Sequence, residues 1–120
     1  MKAFLRTSFI LLVILNVGCN EENISIGNDQ LAGEWFYLSD RTQTLNFVEP
    51  GIVNVNGNPF NYEILENDIL ELSYSGPAFI LLPTTQHSVK FDDNGNILQF
   101  SNLANLHFFT VQNGEDEFER

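Results

Sequence analysis

Short apolar runs separated by turn residues fill the chain from Leu31 onward. In the first five runs, large apolar side chains recur at every second position, the period at which residues share one face of a β-strand. Trp35 with Tyr37 and Leu45 with Phe47 are examples. The pattern predicts strands at residues 33–38, 44–49, 52–56, 60–66 and 69–74.

The second half of the chain predicts further strands. Residues 78–82 are continuously apolar, which predicts the most buried strand or one that is covered on both faces. Val89 and Phe91 alternate with polar residues, and the run that carries Leu98 and Phe100 follows a turn, so we expect these two runs to pair. Residues 106–111 are predicted to form the last strand, and the acidic residues after them a disordered tail.

Two Asn-Gly pairs, Asn56-Gly57 and Asn94-Gly95, stand between such runs. A type I′ hairpin turn needs a positive φ at both central residues, and Asn followed by Gly satisfies that need at low cost. Asn56-Gly57 is therefore a strong hairpin signal, and Asn94-Gly95 is predicted to be a type I′ hairpin turn.

The spacing of the predicted strands indicates the fold class. No segment after residue 30 shows a helical period, and strands begin about every 8 to 12 residues with turn residues between them. We predict an all-β fold, an antiparallel meander of eight or nine short strands that closes into a small barrel, with a β-sandwich as the alternative. Strands of about six residues give a barrel about 15 Å tall, which its own side chains largely fill.

The first 18 residues have the form of a secretory signal. Lys2 and Arg6 precede an apolar stretch at residues 9–15, and the stretch is shorter than the roughly 20 apolar residues of a membrane-spanning helix. We expect a cleaved leader at residues 1–18, a tether at 19–30, one β domain at 31–113 and an acidic tail at 114–120.

The charge balance excludes one class of partner. Cleavage before Cys19 leaves three basic residues, Arg41, Lys90 and Arg120, against 16 acids, a formal charge of −13. Nucleic-acid binding depends on basic side chains that neutralise phosphates, so no nucleic-acid partner is expected. The single cysteine also leaves the domain without an internal disulfide.

That cysteine stands directly after the small residue that ends the apolar leader. Val17-Gly18-Cys19 resembles the lipobox of bacterial lipoproteins. The resemblance implies cleavage between Gly18 and Cys19, a diacylglycerol on the sulfur and an acyl chain on the new amine. Two or more chains hold a protein durably at a membrane, so the implied partner is a membrane. The alternative is an ordinary signal followed by an incidental cysteine.

The residues after Cys19 bear on the location of the protein. Asn20-Glu21-Glu22-Asn23 is similar to the acidic export signal of surface-displayed lipoproteins in some Gram-negative bacteria. The resemblance implies an outer-membrane lipoprotein, and it slightly favours the cell surface over the inward-facing side. A solvated linker is the alternative explanation of this acidic run.

The start of the β domain carries a second resemblance. Gly33-Glu34-Trp35 resembles the Gly-x-Trp opening of lipocalins, in which the tryptophan closes the barrel floor. With the alternating strands that follow, the likeness to small lipocalin-like domains of bacterial lipoproteins covers about residues 31–111. It implies a ligand-binding barrel. In that family a basic residue late in the chain covers the tryptophan, and here the first basic residue after Lys90 is Arg120.

Few polar side chains are placed for catalysis or metal binding. His87 and His107 have no soft ligand at metal-binding spacing, and no Gly-x-Ser-x-Gly motif supports a hydrolase. The oxygens at residues 92–96 suit Ca²⁺, but their order does not follow an EF-hand loop, and a hairpin turn explains them better. The acids between residues 63 and 71 alternate with core positions and are expected to face solvent. We predict no catalytic residue, no metal and no cofactor other than the lipid on Cys19.

Trp35, Phe36 and Tyr37 form the densest aromatic group and are the candidate binding residues. Trp35 and Tyr37 share a face and are expected in the core, while Phe36 faces the other way and is the candidate for an exposed contact. The first functional hypothesis is a non-enzymatic, lipid-anchored domain that binds a small apolar ligand or an envelope partner. The alternative is a β-barrel protein-binding module, such as a protease inhibitor or adhesion domain, and an enzyme is the weakest hypothesis.

Overall fold

The structure, a computed structural model, describes residues 26–120, and it confirms the predicted all-β barrel. Eight antiparallel strands pair each with the next, and the last strand pairs with the first, so that the barrel is closed. In chain order the elements are α1 (Asn28–Leu31), β1 (Gly33–Tyr37), β2 (Thr44–Glu49), β3 (Ile52–Val55), β4 (Asn58–Leu65), β5 (Ile69–Tyr74), β6 (Thr85–Phe91), β7 (Ile97–Phe100) and β8 (Glu117–Glu119).

The barrel interior is packed with apolar side chains from the alternating positions of the strands. Among residues 26–120, eighteen hydrophobic residues are buried, and the largest side chains with under 2% exposure include Trp35, Tyr37, Phe60, Phe100 and Phe118. Closure leaves no unpaired strand edge, and alternation places one face of each strand inside. The barrel is therefore filled by its own side chains, as predicted.

The hairpin predicted at Asn56-Gly57 is confirmed, and the type I′ turn predicted at Asn94-Gly95 is wrong. Asn56 and Gly57 have φ values of 49° and 84° and join β3 to β4. In the β6–β7 connection only Gly95, at 73°, has a positive φ, so Asn94 does not take the type I′ conformation. There the Asp92 carboxylate accepts hydrogen bonds from the backbone N–H groups of Asn96 and Ile97 at 2.8 and 3.0 Å, which fixes a different turn.

The apolar run at residues 78–82 is not a strand, so this prediction is wrong. It lies in the loop 75–84 between β5 and β6, where Phe79 and Leu81 are 85% and 89% exposed. β5 pairs directly with β6, whose inward positions include the polar residues Thr85 and His87. Because β6 pairs directly with β5, no strand formed by the apolar run lies between them.

The end of the chain also differs from the prediction. Residues 106–111 lie in the loop 101–116 rather than in a strand, and the predicted disordered tail contains β8. β8 lies between β7 and β1, and Phe118 is fully buried. The alternation Glu117-Phe118-Glu119 is the strand pattern, but three residues are too few to stand out from the acidic run around them.

The barrel has two distinct ends, because antiparallel strands place successive connections at alternate ends. The end at which the chain enters, here called the base, carries α1 and residues 50–51, 66–68, 92–96 and 120. The Ile26 N–H donates to Asp68 Oδ1 at 2.9 Å, and the Tyr62 hydroxyl donates to Asn28 Oδ1 at 2.7 Å. The opposite end, here called the loop end, carries residues 38–43, 56–57, 75–84 and 101–116.

The described part of the predicted tether, residues 19–30, contains the first three residues of the four-residue helix α1. Leu31, the last residue of this helix, is fully buried beneath the barrel. Among residues 26–120 no helix is long and apolar enough to cross a membrane.

Candidate functional site

The predicted aromatic group, residues 35–37, is divided between the two faces of β1, as the alternation of side chains along a strand requires. Trp35 and Tyr37 are fully buried inside the barrel, and Phe36 is half-buried on its outer face. The guanidinium of Arg41 lies 5.2 Å from the centre of the Phe36 ring, so this ring already has a neighbour. Gly18 and Cys19 lie outside the described residues, and their cleavage and lipidation stay predictions.

Trp35 is covered at the base by Arg120. The guanidinium lies 4.2 Å from the centre of the tryptophan ring, and its N–H groups donate to the backbone oxygens of Ala32, Gln30 and Gly95. The indole N–H of Trp35 donates to Leu31 O at 2.8 Å. The last carbonyls of a helix have no partner within the helix, and at α1 these two side chains supply partners. Arg120 thus covers the Trp35 ring and supplies partners for backbone oxygens at the end of α1.

Large buried side chains such as Trp35, Phe60 and Phe100 fill the barrel interior, and a small cavity lies at the base. At the base a cavity of about 190 Å³ is lined by residues of α1 and the β2–β3 turn, with Phe47 and Tyr62 at its inner wall. Pockets for drug-sized ligands usually measure about 300–1,000 Å³. The cavity at the base is therefore small for such a ligand.

The loop end is closed by residues 101–116, which pack several apolar side chains onto the barrel. Leu103 and Leu106 are buried, and the Phe109 ring lies 4.9 Å from Tyr37 and 5.6 Å from Phe118. Phe108 has a φ of 67°, a strained value for an aromatic residue, and its ring contacts Tyr74 at 5.3 Å. The loop therefore acts as a plug for this end.

Two buried polar side chains fix the plug in position. The Tyr37 hydroxyl accepts from the Gln112 N–H at 2.9 Å and donates to Glu115 O at 2.8 Å. Gln43 donates to Thr110 O and accepts from the Thr110 N–H, both at 2.8 Å. These bonds join residues 67 to 78 positions apart in the chain, so the plug depends on long-range polar contacts.

Removal of the Tyr37 hydroxyl tests that dependence. We expect Tyr37→Phe to lower the free energy of unfolding by about 1–2 kcal/mol, because the Gln112 N–H and Glu115 O lose their partner while the ring keeps its packing. Denaturant titration measures the loss. Tyr74→Phe is the matched control, since the Tyr74 ring also packs at the loop end but is only half-buried. Equal losses for the two variants would contradict this role of Tyr37.

His87 is a buried residue whose hydrogen bonds are satisfied. It is 1% exposed, its Nδ1 lies 2.8 Å from Ser101 O, and its Nε2 lies 2.7 Å from Thr85 Oγ1. A carbonyl can only accept, so Nδ1 carries the proton and Nε2 accepts from the Thr85 hydroxyl. The ring packs 4.8 Å from Phe100. This pair is thus a satisfied part of the core.

Burial makes the stability of the barrel depend on pH through His87. Desolvation holds the pKa of His87 below its ordinary value of 6.5, against the hydrogen bond to Ser101, and the charge of His107 adds to the effect. The unfolded chain then binds a proton that the folded chain excludes as the pH falls through that value. We expect the melting temperature to fall as the pH is lowered from about 7.5 to about 5.5.

Two variants test whether His87 is the source of this pH dependence. His87→Gln is expected to lose most of the fall in melting temperature, because no ionisable group remains at the buried position. His107→Gln is expected to keep it, since His107 lies in the loop 101–116 and is only half-buried. A fall of the same size in all three proteins would exclude His87 as its source.

The loop 75–84 projects two large apolar side chains at the loop end. A turn closed by the hydrogen bond from the Ile80 N–H to Pro77 O holds Phe79 near its tip. Gly76 lies so close to the Tyr74 ring that an added Cβ would overlap it, which explains a glycine at the start of this loop. Phe79 and Leu81 are almost fully exposed.

A groove of about 350 Å³ lies beside this loop. It is lined by neutral residues of the two long loops and the start of β6, namely Pro83, Thr84, Thr85, Gln86, Asn102, Asn105 and His107. His107 Nε2 lies 3.1 Å from Pro83 O, which joins the two loops. The groove is polar, while the tip of the loop is apolar.

Most of each loop lacks charged side chains apart from His107, and in the loop 101–116 the first acids are Glu115 and Asp116. Residues 75–84 and 101–113, which we call the uncharged face, contain no Asp, Glu, Lys or Arg. In a chain that is 18% charged, about four would be expected among these residues. The uncharged face therefore stands out from the acidic surface around it.

The other candidate groups are engaged in local contacts. Glu63 is exposed and lies opposite Glu71, which accepts a hydrogen bond from Gln86. Hydrogen bonds from the backbone, above all from the Ile97 N–H, hold the pKa of Asp92 below its usual value. Within the described range no three His, Cys, Asp or Glu side chains are grouped closely enough to hold a metal ion.

The uncharged face does not follow from the strand pattern, although the sequence carries two signals for it. One is the absence of charge over two long segments, and the other is a run of five apolar residues, 78–82, placed between Pro77 and Pro83. Proline interrupts strand pairing, which favours a loop there.

Comparisons with family models, with curated proteins and with solved structures found no match to this chain.

Proposed function

We propose that this chain is a lipid-anchored, non-enzymatic lipoprotein of the bacterial outer membrane that binds an envelope partner through its uncharged face. The filled barrel carries this proposal. A barrel that is packed by its own aromatic and aliphatic side chains leaves little room for an internal ligand. The working surface then lies on the outside, where Phe79 and Leu81 are exposed.

The position of the N-terminus supports the same arrangement. The chain enters the barrel at its base through Ile26, seven residues after Cys19, and the uncharged face lies at the opposite end. A lipid on Cys19 would hold the base through this short segment. The loops at the other end would then project from the tethered domain.

A panel of medium- and long-chain fatty acids separates this proposal from a small apolar ligand inside the barrel. The test uses the chain from residue 20 to residue 120, which keeps the whole closed barrel and its core and lacks the leader and Cys19. We expect no quenching of Trp35 fluorescence and no rise in melting temperature. A fatty acid that produces both effects would restore the internal ligand and contradict the proposal.

A further inference from the structure

We infer that the partner of the uncharged face is the surface of a zwitterionic lipid bilayer, into which Phe79 and Leu81 insert. The inference rests on the proposed function, in which the outside of the barrel is the working surface. Its first observation is the exposure of these two side chains, 85% and 89%, on a projecting loop. Large apolar groups left in water at a loop tip gain free energy in any apolar medium they reach.

The charge distribution indicates what kind of surface the face can approach. The residues after the leader carry a formal charge of −13, which opposes contact with anionic lipid. The uncharged face is free of that repulsion at short range, and the neutral side chains of the groove, such as Asn102 and Asn105, suit a polar headgroup region without net charge. A zwitterionic surface fits both properties.

The size and shape of the apolar part favour a bilayer over a protein. Phe79 and Leu81 together offer roughly 300–400 Å², about half of the roughly 800 Å² that each partner buries in a stable protein interface. They also project from the surface, so a protein would need a matching pocket, whereas a bilayer needs none. A second copy of this chain would add another strongly acidic domain.

The distances allow the loop and the proposed anchor to reach one membrane. The seven-residue step from Cys19 to Ile26 spans at most about 25 Å. The longest strand, β4 with eight residues, covers about 20 Å of the barrel axis when it is tilted. The domain can therefore lie along the membrane, with lipid at its base and Phe79 at its loop end.

Vesicle flotation tests the inference with the chain from residue 20 to residue 120, so that the proposed anchor plays no part. We expect it to float with phosphatidylcholine–phosphatidylethanolamine vesicles. Phe79→Ser and Leu81→Ser should each lower the partition coefficient about tenfold to 100-fold, the loss expected for one inserted side chain. Val48→Ser is the matched control, because Val48 is 50% exposed but lies near the base, and its partition should not change.

A fluorescent reporter and a change of lipid sharpen the test. In Phe79→Trp the new tryptophan should shift to shorter emission wavelengths on vesicle binding, while the fully buried Trp35 stays constant. Vesicles that contain phosphatidylglycerol should bind less at low salt and recover as salt screens the repulsion.

Three results would overturn the inference: no flotation of the unaltered chain, a loss for Val48→Ser equal to that for Phe79→Ser, or binding that requires anionic lipid. No flotation leaves a protein as the occupant of the face, whereas the other two results describe membrane binding by a different surface or to a different lipid. The proposed function fails by a different result, a fatty acid that stabilises the barrel.

Discussion

Replacement of Phe118 by alanine is expected to lower the free energy of unfolding by about 3–5 kcal/mol, the range for a fully buried phenylalanine. Phe118 has no exposed surface, and its ring packs against Tyr37 at 5.3 Å, Phe109 at 5.6 Å and Phe100 at 6.1 Å. It therefore joins β8 to the core and to the plug. A domain of this size has a total stability of roughly 5–15 kcal/mol, so the loss is a large part of it.

The chain provides a matched control for this change. Phe79→Ala removes the same atoms from a side chain that is 85% exposed, so its effect should stay within about 0.5 kcal/mol. Urea unfolding measured for both variants gives the comparison. Similar losses, or a negligible loss for Phe118→Ala, would mean that β8 does not close the barrel.

Replacement of Arg120 by alanine is expected to lower the free energy of unfolding by about 2–3 kcal/mol. The change removes a cation–π contact with Trp35, and such contacts contribute about 0.5–2 kcal/mol. It also removes the charged donors for Ala32 O and Gln30 O, and hydrogen bonds to charged groups contribute about 1.5–3 kcal/mol before solvent exposure reduces them.

Arg41→Ala is the control for Arg120→Ala. Arg41 also has an aromatic neighbour, Phe36, and it forms an ion pair with Glu119 at 3.0 Å, but both side chains of that pair are about half exposed. Exposed ion pairs contribute about 0–1 kcal/mol. Thermal unfolding of the two variants in one buffer measures the difference. A loss for Arg120→Ala no larger than that for Arg41→Ala would contradict the role given to Arg120.

The first half of the barrel was predictable because its signals are local. In β2 the inward residues Leu45 and Phe47 stand two positions apart, and the Asn56-Gly57 turn marks the end of β3. Each of these patterns needs only a few neighbouring residues to be recognised. The strands and the hairpin follow from them directly.

The second half of the barrel was harder to predict because its inward-facing positions are polar or few. On β6, Thr85 and His87 face the barrel core. They are tolerated there because Ser101, 14 positions after His87, supplies a carbonyl that His87 binds. β8 contributes a single buried side chain, Phe118. Neither feature produces a run of alternating apolar residues, and the contacts that stabilise them are distant in sequence.

The exposed run at residues 78–82 shows why apolar sequence alone does not predict burial. Whether Phe79 and Leu81 are buried depends on the space left by the rest of the barrel, and strands β1 to β8 already fill it. The contact between Arg120 and Trp35 likewise joins residues 85 positions apart. Such contacts are set by the closed barrel and not by any local pattern.

The intact mass of the protein extracted from its native membrane tests the central claim, an exported barrel that is held at a membrane by lipid on Cys19. We expect a chain that begins at Cys19 and carries the added mass of a diacylglycerol and one acyl chain. A chain that retains residues 1–18, or one that begins at residue 19 with a free thiol, would contradict it.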